Sequence, residues 1–407
     1  LKYYVYQFLN SKSMEMPPHT QGIAKALNKL DLHALAADIY SQWINAGAEA
    51  KKKGALLLFG VNADNSDVVT LRKQIDAWAE NSRGAIAADA VKAMALSGQD
   101  LALMQVDSMA NKFKNKQVRK AATESFALAA GAMGLTADQL ADRIIPDLGF
   151  DQRGEKDIDF GTRKFTAFLT PALAVELKDE NGKKIKSLPK PGAKDDEVKA
   201  NAVKAETTAL KKSLKTVVTT QEGRLEHALS SGRTWEIDAW EKLFVQNPIM
   251  HSFAMGLIWG FYKDKKLVIT FRYMNDGSLT DIDDNSLSFA DYKDHTVGLI
   301  HPLELTDEQI EAWKEQLDDF EIVQPVLQLR RPVYLRTKEE ESTNILKRFG
   351  GIKLPGITLI NKLIKMGWSK GSVQDGGAFY STYKEFPSLG IGVQLNHSYL
   401  YVVLDYE

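Results

Sequence analysis

Apolar residues in the first third of the chain recur at helical spacing. Leu32, Leu35, Ala36, Ile39, Tyr40 and Trp43 follow the i, i+3, i+4, i+7 rule of one buried helix face. Val68, Leu71, Ile75 and Trp78 do the same, and so do Leu103, Val106, Ala110 and Phe113. The aromatic ends Trp43, Trp78 and Phe113 are spaced about 35 residues apart, as are Ala36, Leu71 and Val106, the range of helical-hairpin repeats. An irregular helical bundle would give the same apolar faces. Thr136-Ala137-Asp138-Gln139 has the form of a capping box, and Gly60, Gly98 and Gly134 stand where helices are expected to stop.

Near Phe150 the period changes from helical to alternating. Ile158 and Phe160, then Phe165, Ala167 and Leu169, alternate with polar neighbours, and Asn181-Gly182 predicts a hairpin turn between two short runs. Pro189-Lys190-Pro191-Gly192 breaks the chain before a long helix expected over Asp195–Ser230, with Val203, Leu210, Leu214, Val217, Leu225 and Leu229 on its inner face. A short helix over Ile237–Val245 follows, then a strand through Leu267, Ile269, Phe271 and Tyr273, turned by Asp276-Gly277. A strand is expected over Val297–Leu305, and a second capping box at Thr306-Asp307-Glu308-Gln309 opens a helix to about Phe320. Two helices are expected on either side of Gly350-Gly351. Three strands close the chain, over Ala378–Tyr383, Ile391–Leu395 and Tyr399–Leu404.

The pattern predicts an α+β protein: an N-terminal HEAT-like α-helical array over 1–149, then a mixed α+β domain over 150–407 with antiparallel sheet and a long helix. A secondary boundary is placed near 330–340. The 407 residues suffice for two or three domains, and 44% apolar with 26% charged residues is the composition of a globular chain. Charge is balanced on both sides of Phe150, with 17 basic against 15 acidic residues before it and 35 against 38 after. That balance argues against nucleic-acid binding by this region. With no cysteine, disulfides, thiolate metal sites and cysteine nucleophiles are excluded. No apolar run reaches the length of a membrane span. The chain opens at Leu1 without a Met, the pattern of a segment of a longer protein, and a cytoplasmic location is expected.

Chemical motifs are scarce. Phosphate-loop, dinucleotide, serine-elbow and paired-histidine zinc signatures are missing. His295 and His301, six apart beside Asp294, read as structural imidazoles. Asp276, Asp281, Asp283 and Asp284 lack the order of a calcium loop and read as a solvated turn. Lys199, Lys204, Lys211, Lys212 and Lys215 decorate the long helix as a solvated face. Two clusters could line a ligand site. One is Arg153, Arg163 and Lys164, whose guanidinium groups suit carboxylate or phosphate. The other is Trp368, Lys370 and Asp375 within a glycine-rich turn. No cofactor, metal or catalytic residue is expected.

Seven stretches carry a resemblance: "GLTADQLADRIIPDLGFDQRGEKDIDFGTRKF", "SLPKPGAKDDE", "GRTWEIDAWEKLFVQNPIM", "LIWGFY", "LIHPLEL", "QPVLQLRRPVY" and "GWSKGSVQDGG". In order from Gly134 to Gly377, they resemble the C-terminal domain of unknown function of bacterial MolR-like proteins, putative molybdate metabolism regulators. Residues 20–133 look like the helical array that precedes it. The resemblance implies a longer protein, a regulatory or conflict-type system and an association with a MoxR-type ATPase, and it supplies no catalytic residues. This chain departs from the pattern at Asn247-Pro248, where His-Pro is expected, and at Pro325-Val326, where Pro-Phe is expected. The expectation is a non-enzymatic regulatory or scaffolding protein acting through protein–protein contact. The alternative is an uncharacterised enzyme, or a nucleotide or small-anion binding module, with a pocket in the α+β domain.

Overall fold

A computed structural model describes residues 1–386 and 389–401. The chain forms two compact units, Leu1–Pro146 and Asp147–Glu407.

The first unit is helical: α1 (Lys2–Leu9), α2 (Thr20–Ala24), α3 (Lys29–Asn45), α4 (Gly54–Asn62), α5 (Asn65–Glu80), α6 (Gly84–Leu96), α7 (Asp100–Lys112), α8 (Lys116–Ala132) and α9 (Ala137–Arg143). Four of the starts are set by side-chain caps. Asn28 accepts from the amides of Leu30 and Asp31, Asp64 from Ser66 and Asp67, Asn115 from Gln117 and Val118, and Thr136 from Gln139. Helices α3, α5 and α7 pack on α4, α6 and α8 respectively, and α4, α6 and α8 pack side by side.

Bonds between successive pairs recur at one spacing. His33 meets Asp67, Lys53 meets Asp89, Arg83 meets the Ala48 carbonyl and Gln99 meets the Ala63 carbonyl, at separations of 34 to 36 residues. Trp43 and Trp78 touch edge to face with centroids 5.9 Å apart. Two expectations are corrected. Gly60 does not end a helix; it lies inside α4, where an added Cβ would fall 2.6 Å from the Ala93 Cβ, so glycine lets α4 and α6 approach. Phe113 lies just past the end of α7 in extended conformation.

The second unit begins with a four-stranded antiparallel sheet, order β1 (Glu155–Asp159), β2 (Lys164–Leu169), β3 (Val175–Asp179), β4 (Lys184–Ile185). The β3–β4 turn has Gly182 at φ +78°, as the Asn-Gly pair predicts. Helix α10 (Glu197–Ser231) follows, 35 residues long and so roughly 52 Å. Its inner seam repeats every seventh residue: Ala200, Thr207, Leu214, Gln221 and Ala228 are all buried. Val203 and Val217 of the expected face are half-buried flanks. The helix start is tied to the first sheet, since the Asp196 amide donates to the Phe160 carbonyl and Lys199 pairs with Asp159 at 2.6 Å. Its other end packs on the second sheet, and Arg331 holds Glu226 there with two guanidinium bonds.

That second sheet is six-stranded and antiparallel. Its order is β5 (Thr234–Glu236), β10 (Thr296–Leu299), β6 (Ile258–Lys263), β7 (Lys266–Tyr273), β8 (Leu279–Thr280), β9 (Ser286–Leu287). One face meets an aromatic cluster. Trp240, at the end of α11 (Ile237–Trp240), stacks edge-on with Trp259, Phe271 and Tyr273. The chain then widens into a single π turn, Glu241–Val245, before α12 (Pro248–Met255). The other face is covered by α13 (Asp307–Asp319), whose Trp313 donates its indole N–H to the Thr270 hydroxyl at 3.0 Å. β6 and β10 place Gly260 opposite Gly298, and the Tyr262 ring lies where a Cβ on Gly298 would stand.

The strand expected over Val297–Leu305 stops at Leu299. Pro302 cannot donate to a ladder, and Pro302–Glu304 form a 3-10 turn capped by His301 and Glu304. After α13 the chain runs irregularly from Phe320 to Pro355. The helix expected before Gly350 is two 3-10 turns, Glu339–Ser342 and Lys347–Phe349. Gln328 secures this strap: its side-chain amide donates to the carbonyls of Ile258 and Ile300 and accepts from the Ile258 amide, fully buried. Last come α14 (Gly356–Lys365) and a three-stranded sheet, order β11 (Ser369–Lys370), β12 (Ala378–Phe386), β13 (Ile391–Tyr401), around Ile360, Leu363 and Phe379. β13 joins the two strands expected over Ile391–Leu395 and Tyr399–Leu404; residues 402–407 lie outside the described residues.

Candidate ligand-binding cleft

A shallow, open cleft of about 310 Å³ lies on the first sheet. Arg163, Lys164 and Phe165 at the start of β2 form one wall, Asp179, Glu180 and Asn181 of the β3–β4 turn another, and Ile185, Ser187 and Pro189 the third. The turn residues were missed in the sequence because Asn181-Gly182 announces a turn and says nothing of what it faces.

Arg163 gives the cleft its charge, and that charge is already answered. Its Nε and Nη2 clasp the Asp195 carboxylate, at 3.1 and 2.5 Å to one oxygen, and Nη2 also donates to the Lys190 carbonyl at 3.0 Å. The Asp195 side chain is only 1% exposed and also accepts from the Thr162 hydroxyl and the Gly192 amide. The Arg163 guanidinium, followed by these other donors, pulls the Asp195 carboxyl far below the ordinary range, and Asp195 in turn raises Arg163. The pair locks the Pro189–Gly192 break against the sheet.

Arg153 and Arg163, ten residues apart in the chain, do not form one cluster. They stand at opposite ends of the β1–β2 pair, because Glu155 faces Phe168 while Asp159 faces Lys164. At about 3.3 Å per residue this separates them by the length of the strand. Arg153 is exposed and bonds its neighbour Asp151. Lys164 is exposed at the cleft rim. Trp368 packs against the small core of the third sheet, and the Lys370 Nζ stands 5.5 Å over the Phe379 ring. Asp375 begins the turn Asp375–Gly377; of this residue only the backbone is described. Neither Trp368 nor Lys370 lines the cleft.

His301 and His295 each have a local contact. The His301 Nδ1 accepts from the Leu303 amide, and the His295 Nδ1 lies 2.9 Å from the adjacent Asp294 carboxylate. Among the described residues, one group has the spacing of metal ligands: His33, Asp64 and Asp67. Asp64 and Asp67 form the capping box of α5, and the His33 Nε2, 2.5 Å from Asp67, joins α3 to it. Helix capping and inter-helix contact account for all three. The acidic run after β7 is more ordered than a solvated turn: Asp281 is buried, and its carboxylate accepts from the amides of Asp283 and Asn285.

Among the described residues no helix is long and apolar enough to cross a membrane. No solved structure matches the chain. The protein named "Uncharacterized protein YehI" of Escherichia coli (strain K12) is 32% identical over 343 residues, which is 84% of this chain but 28% of that relative's length. Residues 182–368 match the family described as a domain of unknown function (DUF4132), a span that opens at the β3–β4 turn, takes in α10, the six-stranded sheet, the strap and α14, and ends on Trp368.

Proposed function

We propose that the chain is a non-enzymatic regulatory or scaffolding protein that works through protein–protein contact. The supporting observation is the apolar surface of the strap and α14. Leu335 is 69% exposed, Ile352 65% and Ile357 68%, and Tyr334, Ile345 and Leu354 are also open to solvent. An irregular segment with this many uncovered large side chains is unfavourable in water, and such surface marks contact sites. Helix α14 buries Ile360 and Leu363, while Ile357 and Ile364 beside them on the same apolar face stay exposed, so that face is only partly covered. Tyr334, Arg336, Arg348 and Phe349 interleave with these positions, the mixture of aromatic and guanidinium groups that interface centres favour. A protein surface is therefore the occupant we assign. The paired helices of the first unit, with bonds recurring every 34 to 36 residues, support reading it as a HEAT-like array offering a second contact surface. The resemblance of the seven segments to MolR-like proteins favours a bacterial regulatory or conflict-type system, with a MoxR-type ATPase as one partner to test.

The test compares tagged full-length protein in its native host with the triple variant Leu335→Asp, Ile352→Asp, Ile357→Asp. Crosslinks from residues 333–357 to a second polypeptide are expected in the wild type and lost in the variant. Thermal unfolding should change little, because the three positions are exposed. Crosslinks confined to other parts of the same chain, or retained in the variant, would overturn the reading.

A further inference from the structure

Arg272 is 1% exposed in the middle of the six-stranded sheet and has no carboxylate within ion-pair distance among the described residues. Its Nε and Nη2 lean on the Met274 sulfur at 3.2 and 3.0 Å, a weak acceptor, and its guanidinium lies 4.0 Å over the Phe320 ring. Its Nη1 is buried with no hydrogen-bond partner. A fully desolvated cation answered only by a thioether and a ring face is strongly unfavourable, and burial indeed pulls its pKa down while Asp284 resists the shift from a distance.

Two further unpartnered atoms belong to residues that adjoin Arg272 and Phe320. Thr280 is the cross-strand partner of Arg272, so their side chains share a face, and the Thr280 Oγ1 is buried without a partner. Gln316 stands one helical turn before Phe320, and its Oε1 is likewise buried and unpaired. The orientation of that amide is fixed, because its Nε2 donates to the Ile282 carbonyl and to Asp284. The three atoms therefore offer a charged donor, a hydroxyl and an obligate acceptor.

We propose that Arg272, Thr280 and Gln316 form a binding site for a phosphate-class oxyanion that carries an O–H, with the Phe320 ring as its outer wall. The negative charge answers Arg272, an anion oxygen accepts from Nη1, the hydroxyl of Thr280 bridges, and the anion's own O–H donates to the Gln316 Oε1. A water molecule would complete the hydrogen bonds but leave the charge uncompensated. The Phe320 ring is half-exposed at the end of α13, so rotating it away opens the site without moving a strand. This site is separate from the apolar strap surface, and either can fail without the other.

The experiment is thermal unfolding and isothermal titration of the intact chain with inorganic phosphate, sulfate and chloride at matched ionic strength near pH 7. Phosphate should raise the unfolding temperature saturably, by about 5 °C at roughly a hundredfold above half-saturation. Sulfate, which has no O–H at that pH, should bind at least about tenfold more weakly, because Gln316 would lose its donor. Arg272→Met should fold, being a similar-sized apolar replacement for a buried cation, and should lose the phosphate-dependent rise. Gln316→Met should bring phosphate and sulfate to equal affinity. A wild type that phosphate stabilises no more than chloride, or equal binding of phosphate and sulfate, refutes the site even if neither variant folds. So does a phosphate rise that survives Arg272→Met.

Discussion

Replacing Gln328 by Leu keeps side-chain volume while removing a side-chain amide from between two strands. In the native protein that amide donates to the Ile258 and Ile300 carbonyls at 2.7 and 2.9 Å and accepts from the Ile258 amide at 2.9 Å. The Ile258 carbonyl retains the Ile300 amide as a donor at 3.3 Å. Leucine therefore strands two buried groups, the Ile258 N–H and the Ile300 carbonyl. Each costs about 1–3 kcal/mol, so the loss should be about 4 kcal/mol, lowering the unfolding temperature of the second unit by roughly 10 °C. Calorimetry gives the global effect, and hydrogen exchange read by mass spectrometry gives the location: faster exchange over residues 258–263 and 296–300, with α3 to α8 unchanged. A drop under about 1 kcal/mol, or exchange that quickens equally in both units, would refute the idea that Gln328 seals this sheet.

Two other outcomes test the packing and the ion pair. Gly60→Val should destabilise the first unit by about 1–3 kcal/mol, since its first new carbon already meets Ala93 at 2.6 Å; a neutral result by thermal unfolding would show that α4 and α6 can part freely. Asp195→Asn should weaken the protein at pH 7. Because the folded carboxyl sits far below its unfolded value near 3.9, the ionised contribution is complete above about pH 4 and fades as pH falls toward the folded value, so wild type and variant should converge below about pH 4; a gap constant from pH 7 to 3 would refute it.

Features set by neighbours in the chain were legible in the sequence. The capping boxes at Thr136 and Thr306 and the turn at Asn181-Gly182 each need only a few adjacent residues, and all three stand where their motifs place them. Features set by distant partners were not. Gln328 finds Ile258 seventy residues away, and no periodicity marks a glutamine that completes a sheet. Gly60 looked like a helix stop because a glycine required by a neighbouring helix has the same letter as one required by a turn. Alternation in β7 placed Leu267, Ile269, Phe271 and Tyr273 on one strand, but says nothing of the helix α13 that covers Thr270 on the other face. The arginines near the handover were counted by sequence distance, whereas a hairpin sends residues ten apart to opposite ends.

Helix α10 acts as a ruler within the second unit. Its start is fixed to the first sheet and its end to the second, and a helix advances about 1.5 Å and turns about 100° per residue. Removing one residue from its middle would swing everything beyond by over a quarter turn, taking the seam through Ala200, Thr207, Leu214, Gln221 and Ala228 out of register. Removing seven would shorten the span by about 10 Å yet restore the phase to within about 20°. Over this stretch, length changes that keep the phase come only in certain steps, such as about seven or about eleven residues, and the distance between the two sheets is quantised accordingly.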